Sequence, residues 1–300
     1  MIKKFIPAVL CFSLMLTPSF QVAQQKQLDV PYVPTKYPVV DEMLRMADIQ
    51  KSDIVYDLGC GDGRLVVGAA QKYGAHGVGF DIDPERIQES WENATKAGVK
   101  NLVQFFEQDL FQADFHEATA MTIYLLTSVN LRLRPKLLRE LRPGTRLVSH
   151  NFGMGEWKPD QSSEVMVDDI SHDVFLWIIP ANVSGTWTWN MGKPAVKGEM
   201  NLEQHFQVPS GSATVGGAAT EIKDLTLKGD QIRFVIDRPV EGKLVSMVFE
   251  GKVAGHNISG TIKFQAGGKE MIWEWKARRN LATEKPIDAE QGRTSRFTLH

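Results

Sequence analysis

The chain has 300 residues, length for about two domains, and its hydrophobic fraction of 43% supports packed cores and excludes wholesale disorder. A formal net charge of -2 excludes an overall basic field for nucleic acid, so any anionic partner has to be met by a local patch. The two cysteines, Cys11 and Cys60, lie in an apolar leader and in a glycine-rich turn, which excludes a disulfide framework and a cysteine-based zinc site.

Lys3 and Lys4 precede an apolar stretch from Phe5 to Leu16, followed by Thr17, Pro18 and Ser19, the layout of a secretory leader. A bilayer-spanning helix needs about 20 apolar residues, and this stretch is shorter. Residues 1–23 are expected to be a signal peptide cut after Ser19 or Ala23, or an uncleaved N-terminal anchor. Either one implies an exported or membrane-associated protein, in the periplasm or cell envelope; without a working leader the chain is cytoplasmic. The bulky Leu10 disfavours lipoprotein processing at Cys11.

From about Tyr37 to Pro180, apolar runs alternate with helical patterns, as in an α/β sheet with crossover helices. A first helix carries Val40, Met43, Leu44 and Ala47 on one face. The β-branched run Ile54 to Leu58 then ends in Gly59-Cys60-Gly61-Asp62-Gly63, and a helix with Leu65, Val66, Ala69, Ala70 and Tyr73 follows. Such a strand, glycine turn and helix N-terminus lets the backbone approach a ligand and favours negative charge. A second strand, Gly77 to Phe80, ends at Asp81, about 20 residues beyond the glycines, where an acid meets ribose hydroxyls in nucleotide-binding βαβ units. Asp83-Pro84 reads as the N-cap and first residue of the next helix. A third strand, Leu102 to Glu107, runs into Gln108-Asp109-Leu110, so three acids stand at three consecutive strand ends and suit one nucleoside ligand.

The spacing departs from the dinucleotide fingerprint G-x-G-x-x-G, because Arg64 stands at its third glycine. Asp57, two residues before the first glycine, would repel a pyrophosphate but could accept hydrogen bonds from a cationic amino-acid moiety. Asp57-Leu58-Gly59-Cys60-Gly61-Asp62-Gly63, Asp81 and Asp109 resemble the cofactor motifs of class I S-adenosylmethionine-dependent methyltransferases. The resemblance implies a Rossmann-like seven-stranded sheet with one antiparallel strand over about residues 28–181. It also implies that Asp57, Gly59, Gly61 and Gly63 hold the methionine end of S-adenosyl-L-methionine, Asp81 the ribose, and Asp109 with Leu110 the adenine. A narrower resemblance lies in Pro31 to Thr35, Tyr56 to Arg64, Phe80 to Arg86, Tyr124 to Leu126 and Val129 to Pro135. These are similar to bacterial relatives of the mitochondrial lysine methyltransferases that act on the ATP synthase c-subunit and the adenine nucleotide translocase. That family implies methylation of a protein lysine, often in a membrane protein, and no His-x-x-x-His or comparable cluster in the sequence suggests a metal. Rival readings are methylation of a small molecule or lipid, and a non-catalytic binder that kept the fold.

A fourth strand, Met121 to Leu126, is expected to bring Tyr124 and Thr127 to the reacting edge. Tyr124 is the candidate for orienting the nucleophile, with ordinary sheet packing as the alternative; the polar Asn or Asp-Pro-Pro-Tyr pattern of many amine methyltransferases is absent there. Tyr32 and Thr35 form either a lid over the cofactor or a plain proline-rich loop. After a fifth strand, Arg146 to Ser149, the segment His150 to Trp157 lies on the active-site side by topology and lines the substrate entrance in this reading; His150 itself reads as a satisfied sheet-end histidine. Arg132, Arg134, Lys136, Arg139, Arg142 and Arg146 are either a solvated helix face or a contact for an anionic membrane surface.

Past Asn182 the pattern becomes short, alternating segments over Gly185–Met191, Lys197–Gln207, Gln231–Ile236, Lys243–Ala254, Ile258–Gln265 and Glu270–Lys276. Residues 182–279 are expected to form an antiparallel β-domain, a small barrel or sandwich, and 280–300 a loose polar tail. Trp187 with Trp189, and Trp273 with Trp275, pair on one sheet face each, as a core or as the lining of a ligand cavity.

Overall fold

The computed structural model describes residues 32–192, 195–240 and 242–287, so the leader expected at 1–23 lies outside the described residues. Among the described residues no helix is long and apolar enough to cross a membrane.

The N-terminal half is a three-layer α/β unit. Helix α1 (Tyr37–Met46) starts with a proline in its first turn and buries Val39, Val40, Met43 and Leu44 against the sheet layer. Strand β1 (Ile54–Leu58) leads into α2 (Arg64–Tyr73), β2 (His76–Asp81) into α3 (Pro84–Lys96), and β3 (Val103–Glu107) ends the first run. Strand β4 (Ala120–Ile123), α4 (Thr127–Glu140), β5 (Arg146–His150) and the hairpin β6 (Gln161–Val167) to β7 (Ile170–Ile178) complete it. The strand order is β3-β2-β1-β4-β5-β7-β6, with β7 antiparallel to β5 and to β6. Successive strands run outward in one direction from β1 and in the other from β4. The connections therefore leave opposite faces of the sheet and open a crevice beyond the carboxyl ends of those two strands.

The C-terminal half is one nine-stranded sheet in which every neighbour is antiparallel. It comprises β8 (Gly185–Met191), β9 (Val196–His205), β10 (Val208–Val215), β11 (Ala218–Thr220), β12 (Lys223–Lys228), β13 (Gln231–Val240), β14 (Lys243–Ala254), β15 (Asn257–Ala266) and β16 (Lys269–Arg279). The expected small barrel or sandwich is instead a single curled sheet, a half-barrel whose strands β10 and β12 approach each other across the opening. Three of the strands, β10 to β12, have no strong apolar alternation in the sequence; their pairing is supplied by neighbours. The concave face holds the core. Phe234 and Phe249 stack at 4.7 Å between centroids, and Trp275 meets them edge-on at 5.4 and 5.3 Å. Trp187 and Trp189 are buried in the same cluster, so these indoles fill the interior, and Trp189 also borders an open pocket lined by residues of β8, β9, β15 and β16; Trp273 is partly buried at the edge of the cluster.

Residues 280–287, the start of the stretch expected to be a loose tail, are docked. Ser184 Oγ donates to the Lys285 carbonyl at 2.7 Å, Thr186 N–H donates to Thr283 Oγ1 at 2.8 Å, and Ile287 is buried. Their anchors are polar side chains and backbone groups about 100 residues away in sequence, which leaves no apolar period for a sequence reading to detect. Ile287 and Phe206, from the turn between β9 and β10, both pack into the core of the α/β half, so the two halves share one apolar cluster.

Candidate active site

A cavity of about 200 Å³ opens at the crevice between β1 and β4, and its lining includes Tyr32, Thr35, Asp57, Gly59, Gly61, Asp81, Asp109, Leu110 and Tyr124. All nine are candidates that the sequence singles out. Gly63 does not line it. That residue caps α2 in the left-handed region (φ 74°), and a Cβ there would meet Phe105 and Ser90 at 2.8 Å, so its role is to seat the turn on the next helix layer.

Asp57 closes the floor. It is fully buried and its Oδ1 accepts from Thr122 Oγ1 at 2.7 Å, a partner on β4 that carries no charge. Burial pushes the Asp57 carboxyl up to about 7, and the nearby Asp81 and Asp62 push in the same direction, against the Thr122 hydrogen bond. The site thus holds a buried acid facing the cavity with no cation beside it among the described residues. Asp81 Oδ2 accepts from Gly61 N–H at 2.9 Å and its Oδ1 from Asp83 N–H at 3.0 Å, so this acid shapes the glycine turn and keeps a lone pair on each oxygen for a ligand. Asp83 is the N-cap of α3, accepting from Glu85 N–H at 2.9 Å. Asp109 Oδ1 accepts from Phe111 N–H at 2.9 Å, which folds the chain back behind Leu110.

The roof comes from the segment before α1. The Tyr32 ring lies so close over Gly61 that a Cβ there would come within 2.5 Å of it, and the Arg86 guanidinium covers the ring at 4.7 Å. Arg64, standing where a dinucleotide-binding turn has glycine, instead joins Asp62 (2.6 Å) and donates to the Thr35 carbonyl at 2.6 Å. The roof segment is thereby tied to the glycine turn.

The opposite wall is apolar and aromatic. β4 stops at Ile123, three residues short of the expected Leu126, and Tyr124, Leu125 and Leu126 turn out of the sheet into the cavity wall together with Val129. Thr127, expected at the reacting edge, begins α4, is exposed, and is not part of that wall. The Tyr124 ring packs on His150 at 3.9 Å and on Phe152 at 5.9 Å, and Phe152 also lines the cavity. His150 is buried, contacting Thr35 Oγ1 through Nδ1 at 3.3 Å and His172 through Nε2 at 3.0 Å. Burial, with a smaller contribution from His172, pushes its pKa down to about 4, so the ring is neutral at ordinary pH, the satisfied sheet-end histidine that its sequence position suggests. Thr122 and His172 escape a reading of the sequence, where nothing marks a threonine inside a strand or a histidine on a hairpin as neighbours of this cleft.

The six cations from Arg132 to Arg146 have mostly internal partners. Arg146 pairs with buried Asp53 at the far end of the sheet, Lys136 and Arg139 pair with Glu140, Arg134 donates to the Met154 carbonyl at 3.0 Å, and Arg132 covers the Phe111 ring at 4.3 Å.

Residues 57–161 match the ANTKMT methyltransferase domain family. The chain is 45% identical over 151 residues to a protein-lysine N-methyltransferase of Saccharolobus islandicus, covering 50% of this chain and 94% of the relative. It is 28% identical over 184 residues to the human lysine N-methyltransferase of the ATP synthase c-subunit, covering 61% of this chain and 72% of that protein. Among solved structures, an RNA methyltransferase from Salinibacter ruber in complex with S-adenosyl-L-homocysteine is 50% identical, covers 50% of this chain and 96% of its own, and superposes with a TM-score of 0.48. A crevice at the strand-order switch, floored by a buried acid and ringed by strand-end carboxylates, thus coincides with the matched segment, and the chain belongs to the ANTKMT family of S-adenosylmethionine-dependent methyltransferases.

Proposed function

We propose that the chain transfers a methyl group from S-adenosylmethionine to the ε-amine of a lysine in a protein substrate. The reading is carried by the juxtaposition, in one cavity, of a buried carboxylate floor at Asp57 and an aromatic wall of Tyr124 and Phe152. The donor set fits the cofactor: Asp57 is a buried acid in want of a cation, Asp81 and Asp109 keep acceptor capacity for hydroxyl and amino groups, and Tyr32 and Thr35 roof the glycine turn. In this reading Asp57, Gly59 and Gly61 hold the methionine end, with Gly63 supporting the turn from behind. Asp81 holds the ribose, and Asp109 with Leu110 the adenine. When bound, S-adenosylmethionine supplies a methyl group activated by its sulfonium.

The protein has to align and dry the amine. A lysine must lose its proton against a reference pKa of about 10.4, and an apolar channel lowers that value by desolvation. Tyr124, Leu126, Val129 and Phe152 would form that channel, and His150, neutral behind Tyr124, adds no charge to it. With S-adenosylmethionine held by Asp57, Asp81 and Asp109, its sulfonium would supply the methyl group and take up the electron pair of the leaving C–S bond, so the chain's own work would be to place a dry, neutral amine beside it, and positioning would carry most of the catalysis. An obligatory protein base is not required. If the Tyr124 ring face does the positioning, Tyr124→Phe keeps turnover within a few-fold whereas Tyr124→Ala loses about tenfold to a hundredfold; equal losses would instead assign the work to the hydroxyl.

The apolar leader from Phe5 to Leu16, and relatives named for the ATP synthase c-subunit and the adenine nucleotide translocase, favour an acceptor in or near a membrane. The test is incubation of the purified protein with methyl-labelled S-adenosylmethionine and envelope extract, with Asp57→Ala as control. Label in protease-sensitive bands that yields methyl-lysine on acid hydrolysis is the expected result. Label confined to solvent-extractable or nuclease-sensitive material would move the acceptor to lipid or RNA, and neither label nor cofactor binding would overturn the enzyme reading.

A further inference from the structure

The aromatic wall is held from behind by the C-terminal sheet. The segment 151–157 leaves β5, contributes Phe152 to the cavity, and has little regular structure of its own beyond an isolated bridge between Met154 and Trp157. On one side α4 grips it: Asn130 Nδ2 donates to the Phe152 and Gly153 carbonyls at 3.2 and 3.3 Å, and Arg134 Nη1 to the Met154 carbonyl at 3.0 Å. On the other side stands the two-residue turn between β9 and β10. Phe206 stacks on Trp157 at 5.6 Å with an interplanar angle of 14°, lies under the Arg134 guanidinium at 5.0 Å, and is almost fully buried. Gln207 Nε2 donates to the Lys158 carbonyl at 2.8 Å. Among the described residues the Trp157 indole N–H has no hydrogen-bond partner, so ring packing by Phe206 and Trp177 fixes that side chain.

Phe206 also holds a backbone conformation that a phenylalanine rarely adopts, with φ of 53°. Gln204 braces it, donating through Nε2 to the carbonyls of Phe206 (2.6 Å) and Ala181 (2.9 Å). A strained, braced aromatic inserted into the other half's core is the mark of a conformation that the surrounding structure over-determines. The Saccharolobus relative is matched over 94% of its length by half of this chain, which leaves no room in it for a counterpart of the nine-stranded sheet.

We propose that Phe206 is a positioning residue, through which the C-terminal sheet fixes the 151–157 segment and hence the place of Phe152 opposite Tyr124. The ring contacts of Phe206 are to Trp157, Arg134 and His205, away from the acids and glycines at the ends of β1, β2 and β3. The two functions of the cleft should therefore separate in Phe206 variants. The turnover part of the test rests on the methyltransferase reading above; the exchange and binding parts do not.

The experiment compares the full-length protein with Phe206→Ala, which removes the ring and keeps the backbone strain, Phe206→Gly, which removes both, and Phe206→Tyr, which keeps the ring. Amide hydrogen exchange reads residues 151–158 against residues 57–64, calorimetry reads affinity for S-adenosylhomocysteine, and labelled methyl transfer reads turnover at saturating cofactor. In Phe206→Ala and Phe206→Gly, exchange at 151–158 is expected to rise about tenfold or more with 57–64 unchanged. Affinity for S-adenosylhomocysteine stays within about twofold, transfer falls about tenfold, and Phe206→Tyr keeps exchange, affinity and transfer at the wild-type level. Folded variants with wild-type exchange at 151–158 would overturn the proposal, as would a parallel loss of cofactor affinity. A wild-type protein that transfers no label leaves the exchange result to decide the positioning role, while separately defeating the lysine methylation reading.

Discussion

Asp57 shows how a single buried charge links stability to ligand binding. Its carboxyl titrates near 7 in the fold because of burial, against 3.8 for an unperturbed aspartate. Between those values the folded protein keeps a proton that the unfolded chain has lost. In the cofactor-free protein the Asp57 contribution to stability is therefore lost as pH rises from about 4 to about 7 and is level above, a cost on the order of 4 kcal/mol. His150 slopes the other way: burial and His172 put it near 4 against 6.5, so its contribution is lost as pH falls from about 6.5 to 4. The two windows overlap almost completely, so the opposing slopes should nearly cancel in thermal unfolding of the wild type between about pH 4 and 6.5. In Asp57→Asn the His150 slope should remain alone, so stability should rise from about pH 4 to 6.5, and S-adenosylhomocysteine should bind about tenfold to a hundredfold more weakly. For the wild type, affinity should climb with pH up to about 7 and then level off. An unchanged pH slope in Asp57→Asn would remove this carboxyl from the account.

Elements are legible in the sequence where chemistry punctuates them and poorly so where only hydrophobicity does. Ile54 to Leu58, the glycine turn and Asp81 stand where the sequence puts them, since glycine and strand-end acids mark a boundary independently of tertiary context. Asp83 is a local signal of the same kind, and Asp83→Ala should cost about 1 kcal/mol of stability by chemical denaturation with no more than a few-fold change in cofactor affinity. A large loss of affinity would show that the cap also orders Asp81. Met121 to Leu126, by contrast, is one apolar run of which only the first part is strand; Tyr124 to Leu126 are apolar because they face a cleft. Periodicity cannot separate burial in a sheet from burial beside a ligand. In the basic run Arg132, Arg139 and Arg142 are exposed, as a solvated face requires, while the cations with distant partners escape the sequence for a related reason. Arg146 belongs to a buried network with Asp53 and Thr119, contacts 93 and 27 residues away in sequence. Arg146→Ala should destabilise by about 3 kcal/mol, the penalty of stranding a buried acid; a change below about 1 kcal/mol would mean that solvent already screens the pair.

At the level of the whole molecule, the shared cluster containing Phe206 and Ile287 joins the two halves. Calorimetry at neutral pH should therefore give one unfolding transition rather than two, and Trp275→Ala, which hollows the C-terminal core by about 3–5 kcal/mol, should lower that single transition. Two resolved transitions would mean that the junction is too weak to couple the cores. The sequence by itself determined the α/β class of the first half, the β character of the second, and the placement of Asp57, Gly59, Gly61, Asp81 and Asp109 along one sheet edge, because each follows from local period, turn chemistry and spacing along one βαβαβ run. Only the tertiary structure decided that the second half is one curled sheet, that residues 280–287 dock, and that Thr122, Phe152 and His172 meet Asp57 and Tyr124 around the cleft. Those outcomes depend on contacts between residues far apart in the chain, whose loop-closure cost and packing gain leave no mark on any short stretch of sequence.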